Sequence, residues 1–108
     1  MQAKNIYLME SIPWAADQEL FETLCSDQNH RIERIISHGH TTPPDQWYDQ
    51  QENEWVLLIQ GKASLEFENG EMLHLGAGDY IFLPARLRHR VAYTSKRPPC
   101  IWLAIHFK

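Results

Sequence analysis

The sequence predicts an all-β protein, a barrel or sandwich of about seven or eight short strands with one short helix near the N-terminus. Three observations lead there. Several runs alternate apolar and polar residues with a period of two. Clusters of Gly, Pro, Asn and Asp separate those runs at regular intervals. A helical pattern occurs in one segment, Ala15–Cys25.

Taken in order, Asn5–Met9 reads as a short strand. Within Ala15–Cys25, Asp17 stands as a cap, Glu19 and Glu22 fall early, and Leu20, Phe21 and Leu24 make an apolar edge, which predicts the helix. From Arg31 the period changes to two: Ile32, Arg34, Ile36, His38 and His40 share one parity and Ile35 takes the other. Pro43-Pro44 opens a loop, because paired prolines stop a ladder. Glu54–Gln60 is apolar on both faces and reads as a central strand, ended by Gly61. Lys62–Glu68 then alternates, with Ala63, Leu65 and Phe67 directed inward. Asn69-Gly70 signals a hairpin into Met72–Leu75, and Gly76 and Gly78 bracket a turn before Tyr80–Leu83. The last strands are His89–Thr94 and Ile101–Phe107, with Lys96-Arg97-Pro98-Pro99 between them. In the final strand Trp102 shares parity with Ala104 and His106, opposite Ile101, Leu103, Ile105 and Phe107, which predicts that Trp102 faces outward. No linker or repeat divides the chain. A single domain over 1–108 is expected, with 1–30 as an N-terminal extension and 31–107 as the barrel.

Composition excludes some functions. The 108 residues carry ten Lys+Arg against fourteen Asp+Glu, a net charge of −4 that argues against a general binder of nucleic acid or anionic membrane. The opening residues lack the apolar stretch of a signal peptide, and no run approaches the roughly 20 apolar residues of a membrane span. A cytoplasmic protein is expected. Two cysteines, Cys25 and Cys100, are too few for a disulfide framework or a thiolate zinc site and are expected as small buried hydrophobes. No phosphate-binding loop or dinucleotide fingerprint is present.

One ordered set of residues carries more. Gly78-Asp79 suits a tight turn, Pro84 ends a short strand, and His89 opens a strand on the same parity as Val91 and Tyr93, which would direct its imidazole into the interior. Together Glu54-x6-Gly61, Asn69-Gly70, the run GDYIFLPARLRH from Gly78 and its closing His89 resemble the cupin superfamily of small jelly-roll β-barrels, over Arg31 to Phe107. Its two motifs are written G-x5-H-x-H-x3,4-E-x6-G and G-x5-P-x-G-x2-H-x3-N. Here Arg86 stands for the inner glycine of the second motif and Tyr93 for its final Asn.

The resemblance implies a divalent metal, Mn, Fe, Zn or Ni, held inside the barrel by nitrogen and oxygen ligands. Two ligand registers are open, and a mixed set of one early histidine, His38 or His40, with Glu54 and His89 is a third option. Counting back from Glu54, the histidine positions of the first motif fall on Trp47 and Asp49, which gives Asp49, Glu54 and His89. Alternatively His38 and His40, thirteen residues before Glu54, keep the ligand role across an inserted loop. Either set would orient a small polar or acidic substrate for oxygenase- or isomerase-type chemistry, with Tyr93 or His106 handling protons. The alternative is a non-enzymatic small-molecule binding or sensor module whose metal site is degenerate or empty, and a third option is a structural dimer without ligand. Arg86, Arg88 and Arg90 alternate on the face opposite His89, a solvated row or an anion site at the barrel mouth. Exposed aromatic surface, Trp102 included, would fit a homodimer.

Overall fold

The computed structural model describes residues 1–9 and 18–108. Every regular element among them is a strand: β1 Leu20–Ser26, β2 His30–Ser37, β3 Asn53–Gln60, β4 Ala63–Phe67, β5 Met72–Leu75, β6 Tyr80–Leu83, β7 His89–Thr94 and β8 Cys100–Phe107. They form a five-stranded sheet in the order β1-β2-β8-β3-β6 and a three-stranded sheet in the order β5-β4-β7. All neighbours pair antiparallel. The bounds expected for β5, β6 and β7 are the observed ones. β3, apolar on both faces, is flanked by β8 and β6.

The N-terminal region differs from expectation. Of the expected helix, residues 15–17, with Asp17, lie outside the described residues, and 20–26 form β1. Asp27 explains the difference: its Oδ1 accepts from the backbone N–H groups of Asn29 (2.8 Å) and His30 (2.7 Å), closing a turn that folds β1 onto β2. The pairing runs from Leu20↔Ile36 to Ser26↔Arg31, and these ladder bonds override a weak helical periodicity. Residues 5–9 make a turn, not a strand: Leu8 N donates to Asn5 O (3.1 Å) and Tyr7 N to Asn5 Oδ1 (2.8 Å). Arg34, buried on the outer face of β2, holds that turn by donating to the carbonyls of Ile6 and Leu8, while Glu22 takes its Nε–H at 2.9 Å.

Alternation along β3 and β8 fixes which side chains enter the barrel. Val56, Leu58, Ala104 and Trp102 are buried in one cluster with Leu65, Leu83 and Phe67 from the other strands. Trp102 therefore faces inward, against the outward expectation. Register decides it: Trp102 pairs across to Ile35 on one side and Leu58 on the other, both core residues. Its indole Nε1 donates to Ser37 Oγ at 3.2 Å. The larger apolar set of β8 faces out, where Phe107 stacks on Phe82 and exposed Tyr80 lies against Trp55. Exposed aromatic surface thus exists without Trp102. Of the cysteines, Cys100 is buried as expected, but Cys25 is exposed on β1, and neither is bridged.

Gly61 turns the chain from β3 to β4 at φ +95°, and a Cβ there would lie 2.9 Å from both Cys100 Sγ and Ser95 Oγ. An L side chain meets backbone strain and a clash at once. Gly61→Ala should cost roughly 1–3 kcal/mol. Urea unfolding checks this, and a loss below the ±0.5 kcal/mol typical of innocuous sites would contradict it.

Candidate functional site

Three cross-strand rungs of β2, β8 and β3 build one wall of an internal cavity of about 250 Å³. The innermost is apolar, Ile35–Trp102–Leu58. The next is mixed, Glu33–Ala104–Val56, and the outermost is polar throughout, Arg31–His106–Glu54. Polarity thus rises along this wall from the Ile35 rung to the Arg31 rung, as a pocket for a small molecule with a polar end requires. β7 closes the opposite side with His89 and Val91.

The polar groups are deeply placed: Glu54 is 7% exposed, His89 6% and His106 4%. His89 Nδ1 lies 2.9 Å from the Leu87 carbonyl oxygen. That oxygen can only accept, so Nδ1 carries a proton and Nε2 is the ring nitrogen left for another partner. His106 Nε2 lies 2.8 Å from Glu33 Oε1 and donates to it, while its Nδ1 is buried with no partner. Glu54 interacts with both histidines by charge, and burial raises its pKa above the usual carboxylate value. His106 and His89 oppose that rise, Glu33 adds to it, and Arg31 opposes it. Glu19, also on the cavity, is raised by burial against a 2.6 Å hydrogen bond from Ser37 Oγ.

A strap before β3 forms the remaining wall. Tyr48 bridges His89 through two backbone hydrogen bonds, Tyr48 N to His89 O (2.7 Å) and His89 N to Tyr48 O (3.2 Å). Its ring stacks on the imidazole at a centroid distance of 5.5 Å. Burial and the carboxylates of Glu19 and Glu54 push the Tyr48 phenol above its usual value. Two residues on, Gln50 also lines the cavity, and its carbonyl accepts from Arg86 N at 2.8 Å.

The expected site residues separate. Glu54 and His89 meet in the cavity. Asp49 does not: it lies exposed between Tyr48 and Gln50 and pairs with Arg86 Nη1 at 3.2 Å. His38 and His40 lie beyond the end of β2, where Gly39 at φ +77° breaks the strand parity that would have aligned them. The His38 backbone N–H donates to His40 Nδ1 at 2.9 Å, and neither histidine borders the cavity. Tyr93 is half exposed on the outer surface: a bulge in the β7–β4 pairing, between Val91↔Leu65 and Tyr93↔Ser64, turns it away from His89 and Val91. Of the two proton-handling candidates, only His106 is at the cavity. The arginine row is neutralised pair by pair: Arg86 by Asp49, Arg88 by Glu68 and Arg90 by Glu66. Glu33, Arg31, Tyr48 and Gln50 had no motif to mark them. Glu33 could have been found from its shared parity with Ile35.

The family model of the cupin domain matches residues 33–106. The chain belongs to the cupin family. Among solved structures, this cupin is 37% identical to a Ralstonia eutropha JMP134 protein provisionally assigned as a mannose-6-phosphate isomerase, with a TM-score of 0.90 over 100% of this chain and 99% of that one. A cupin superfamily protein from Desulfitobacterium hafniense shares the fold at 20% identity, with a TM-score of 0.69 over 84% of this chain and 78% of that one. A 47-residue stretch, 44% of this chain, is 36% identical to the RCS-specific HTH-type transcriptional activator RclR of Escherichia coli K12, of which it spans 16%.

A cupin barrel implies a divalent metal, and the residues present do not fit one. The first motif allows three or four residues before its Glu. The structure takes three, so the two histidine positions of this cupin are Tyr48 and Gln50, neither of them a strong ligand. Glu54 and His89 Nε2 remain. His106, the third imidazole, gives its Nε2 to Glu33. Among the described residues, no three His, Cys, Asp or Glu side chains stand together so as to hold an ion. Arg86 keeps the backbone of the glycine it replaces, at φ +69°.

Proposed function

We propose that this cupin binds a small polar organic molecule directly on the side chains of its barrel cavity, with no metal ion between protein and ligand. The observation that carries this reading is the pair Tyr48 and Gln50 facing inward at the positions where the family pattern has its histidines. They leave Glu54 and His89 as two groups able to hydrogen-bond a ligand in a partly apolar pocket. The volume of about 250 Å³ suits a molecule of sugar size or smaller.

Chemically, His89 Nε2 can accept a proton from a bound hydroxyl or an acidified C–H, and Glu54 can take or return one beside it. That pair is within reach of an isomerase-type proton shift, the reaction class named for the Ralstonia protein. The same pocket would serve a sensor module; the partly similar protein is a transcriptional activator. Direct binding is common to both.

The test is thermal unfolding of EDTA-treated protein against a collection of polyols, aldoses, amides and hydroxy acids. A ligand at ten times its Kd adds about 1.4 kcal/mol and so raises Tm by several degrees. At least one compound should do so in the wild type and fail in His89→Ala. Stabilisation that appears only after a divalent metal is added would contradict the proposal.

A further inference from the structure

The charges around the cavity say more about its occupant than its shape does. Three carboxylates line it, Glu19, Glu33 and Glu54, against one guanidinium, that of Arg31. Arg31 is already engaged: its Nη1 is 3.3 Å from Glu52 Oε1 and its Nε is 3.6 Å from Glu33 Oε2. The other arginines near the rim, Arg86, Arg88 and Arg90, are each matched by a carboxylate and point away from the cavity. An entering anion would meet three carboxyl groups against one guanidinium that carboxylates already engage, in a space where water screens charge poorly.

A neutral hydroxyl finds partners instead. His89 Nε2 is left for a ligand because Nδ1–H is committed to Leu87 O. The carboxyl of Glu54 lines the same cavity. The indole N–H of Trp102 is spent on Ser37. The polar end of the cavity therefore offers carboxyl, imidazole, amide and phenol groups suited to hydroxyls, and its apolar lining is Ile35, Val56, Leu65 and Leu83.

We infer that the cavity takes an uncharged, hydroxyl-bearing molecule and excludes phosphates and carboxylates. This rests on the direct-binding reading above and narrows it. It also separates this protein from a sugar-phosphate substrate of the kind named for its Ralstonia relative: the hydroxyls could enter the barrel, but the phosphate has no seat there.

Matched pairs test this: glycerol with glycerol 3-phosphate, and D-mannose with D-mannose 6-phosphate, titrated to tens of millimolar into ¹⁵N-labelled, EDTA-treated protein. The Trp102 indole resonance reports the cavity. The expected result is that the neutral member of a pair moves it with at least tenfold higher affinity than its phosphate. Glu52→Gln, a change at the partly exposed rim, releases one arm of Arg31 and should strengthen phosphate binding several-fold. Tighter binding of the phosphate member to the wild type, with the same resonance moving, would overturn the inference and leave direct binding standing. An unchanged phosphate affinity in Glu52→Gln would overturn the role given to the engaged Arg31. Silence of Trp102 to all four compounds would count against the direct-binding reading itself.

Discussion

Replacing Glu54 by glutamine should make the protein more stable at neutral pH and weaken its ligand binding. Glu54 is buried at the cavity and its pKa is raised, first by desolvation, so the folded state favours the protonated carboxyl. The sign follows by linkage. Between the unfolded carboxylate value near 4.5 and the higher folded one, the native chain holds more protons than the unfolded chain. Wild-type stability therefore falls as pH rises through that window, and is recovered as pH drops below it. Glutamine keeps the shape and has no charge to bury. Glu54→Gln should gain on the order of 1 kcal/mol at pH 7 and nothing at pH 4. Its ligand affinity should fall about 10- to 100-fold, the worth of a hydrogen bond to a charged or strongly polarised group. Urea unfolding at the two pH values, with a binding titration, checks both halves. A variant less stable than wild type at pH 7 would mean that Glu54 is compensated by a partner the cavity does not show.

Trp102→Ala should be among the most destabilising single changes in the protein. The indole is 4% exposed, sits in the apolar rung between Ile35 and Leu58, and spends its N–H on Ser37. Truncating a buried tryptophan costs about 3–5 kcal/mol, and for a domain of this size each kcal/mol moves Tm by roughly 4–8 °C. Trp102→Phe should keep most of the packing and lose about 1 kcal/mol with the hydrogen bond. An outward Trp102, as its parity first suggests, would give both variants a change within about 0.5 kcal/mol. The alanine variant thus decides between the two orientations of β8 as well as measuring the core.

That strand shows how far a sequence carries and where it stops. β3 through β7 were legible because each alternates or is doubly apolar and is bounded by Gly, Pro or Asn-Gly. β8 was legible as a strand, but not in its facing. It is apolar on both sides, and the side with fewer large residues goes inward because its partners Ile35, Leu58 and Val56 do. β1 was misread because Leu20, Phe21 and Leu24 also fit a helical edge, and the deciding pairing with β2 is a contact across the Asp27 turn. In the site, Glu54 and His89 were recoverable from motif spacing alone. The strap was displaced by one residue, since the family pattern tolerates either spacing and only the bridge of Tyr48 to His89 selects one. One residue reverses a strand's faces, and so Asp49 is outside and Gln50 inside. The bulge that expels Tyr93 leaves no mark in the sequence at all. Glu33 and Arg31 share the parity of Ile35, but that this face of β2 lines the cavity is set by register across β8, a relation between distant segments.

The central claim is that Tyr48 and Gln50 have replaced the metal-binding pair, so that the cavity meets its ligand directly. Elemental analysis tests it most directly, on protein purified without a chelating tag and then offered Mn, Fe, Ni and Zn in turn. Each metal should stay well below one equivalent after dialysis, and Gln50→His with Tyr48→His, which restores the two imidazoles, should raise retention toward one. One tightly held equivalent in the wild type, lost in both His89→Ala and Glu54→Ala, would contradict the account.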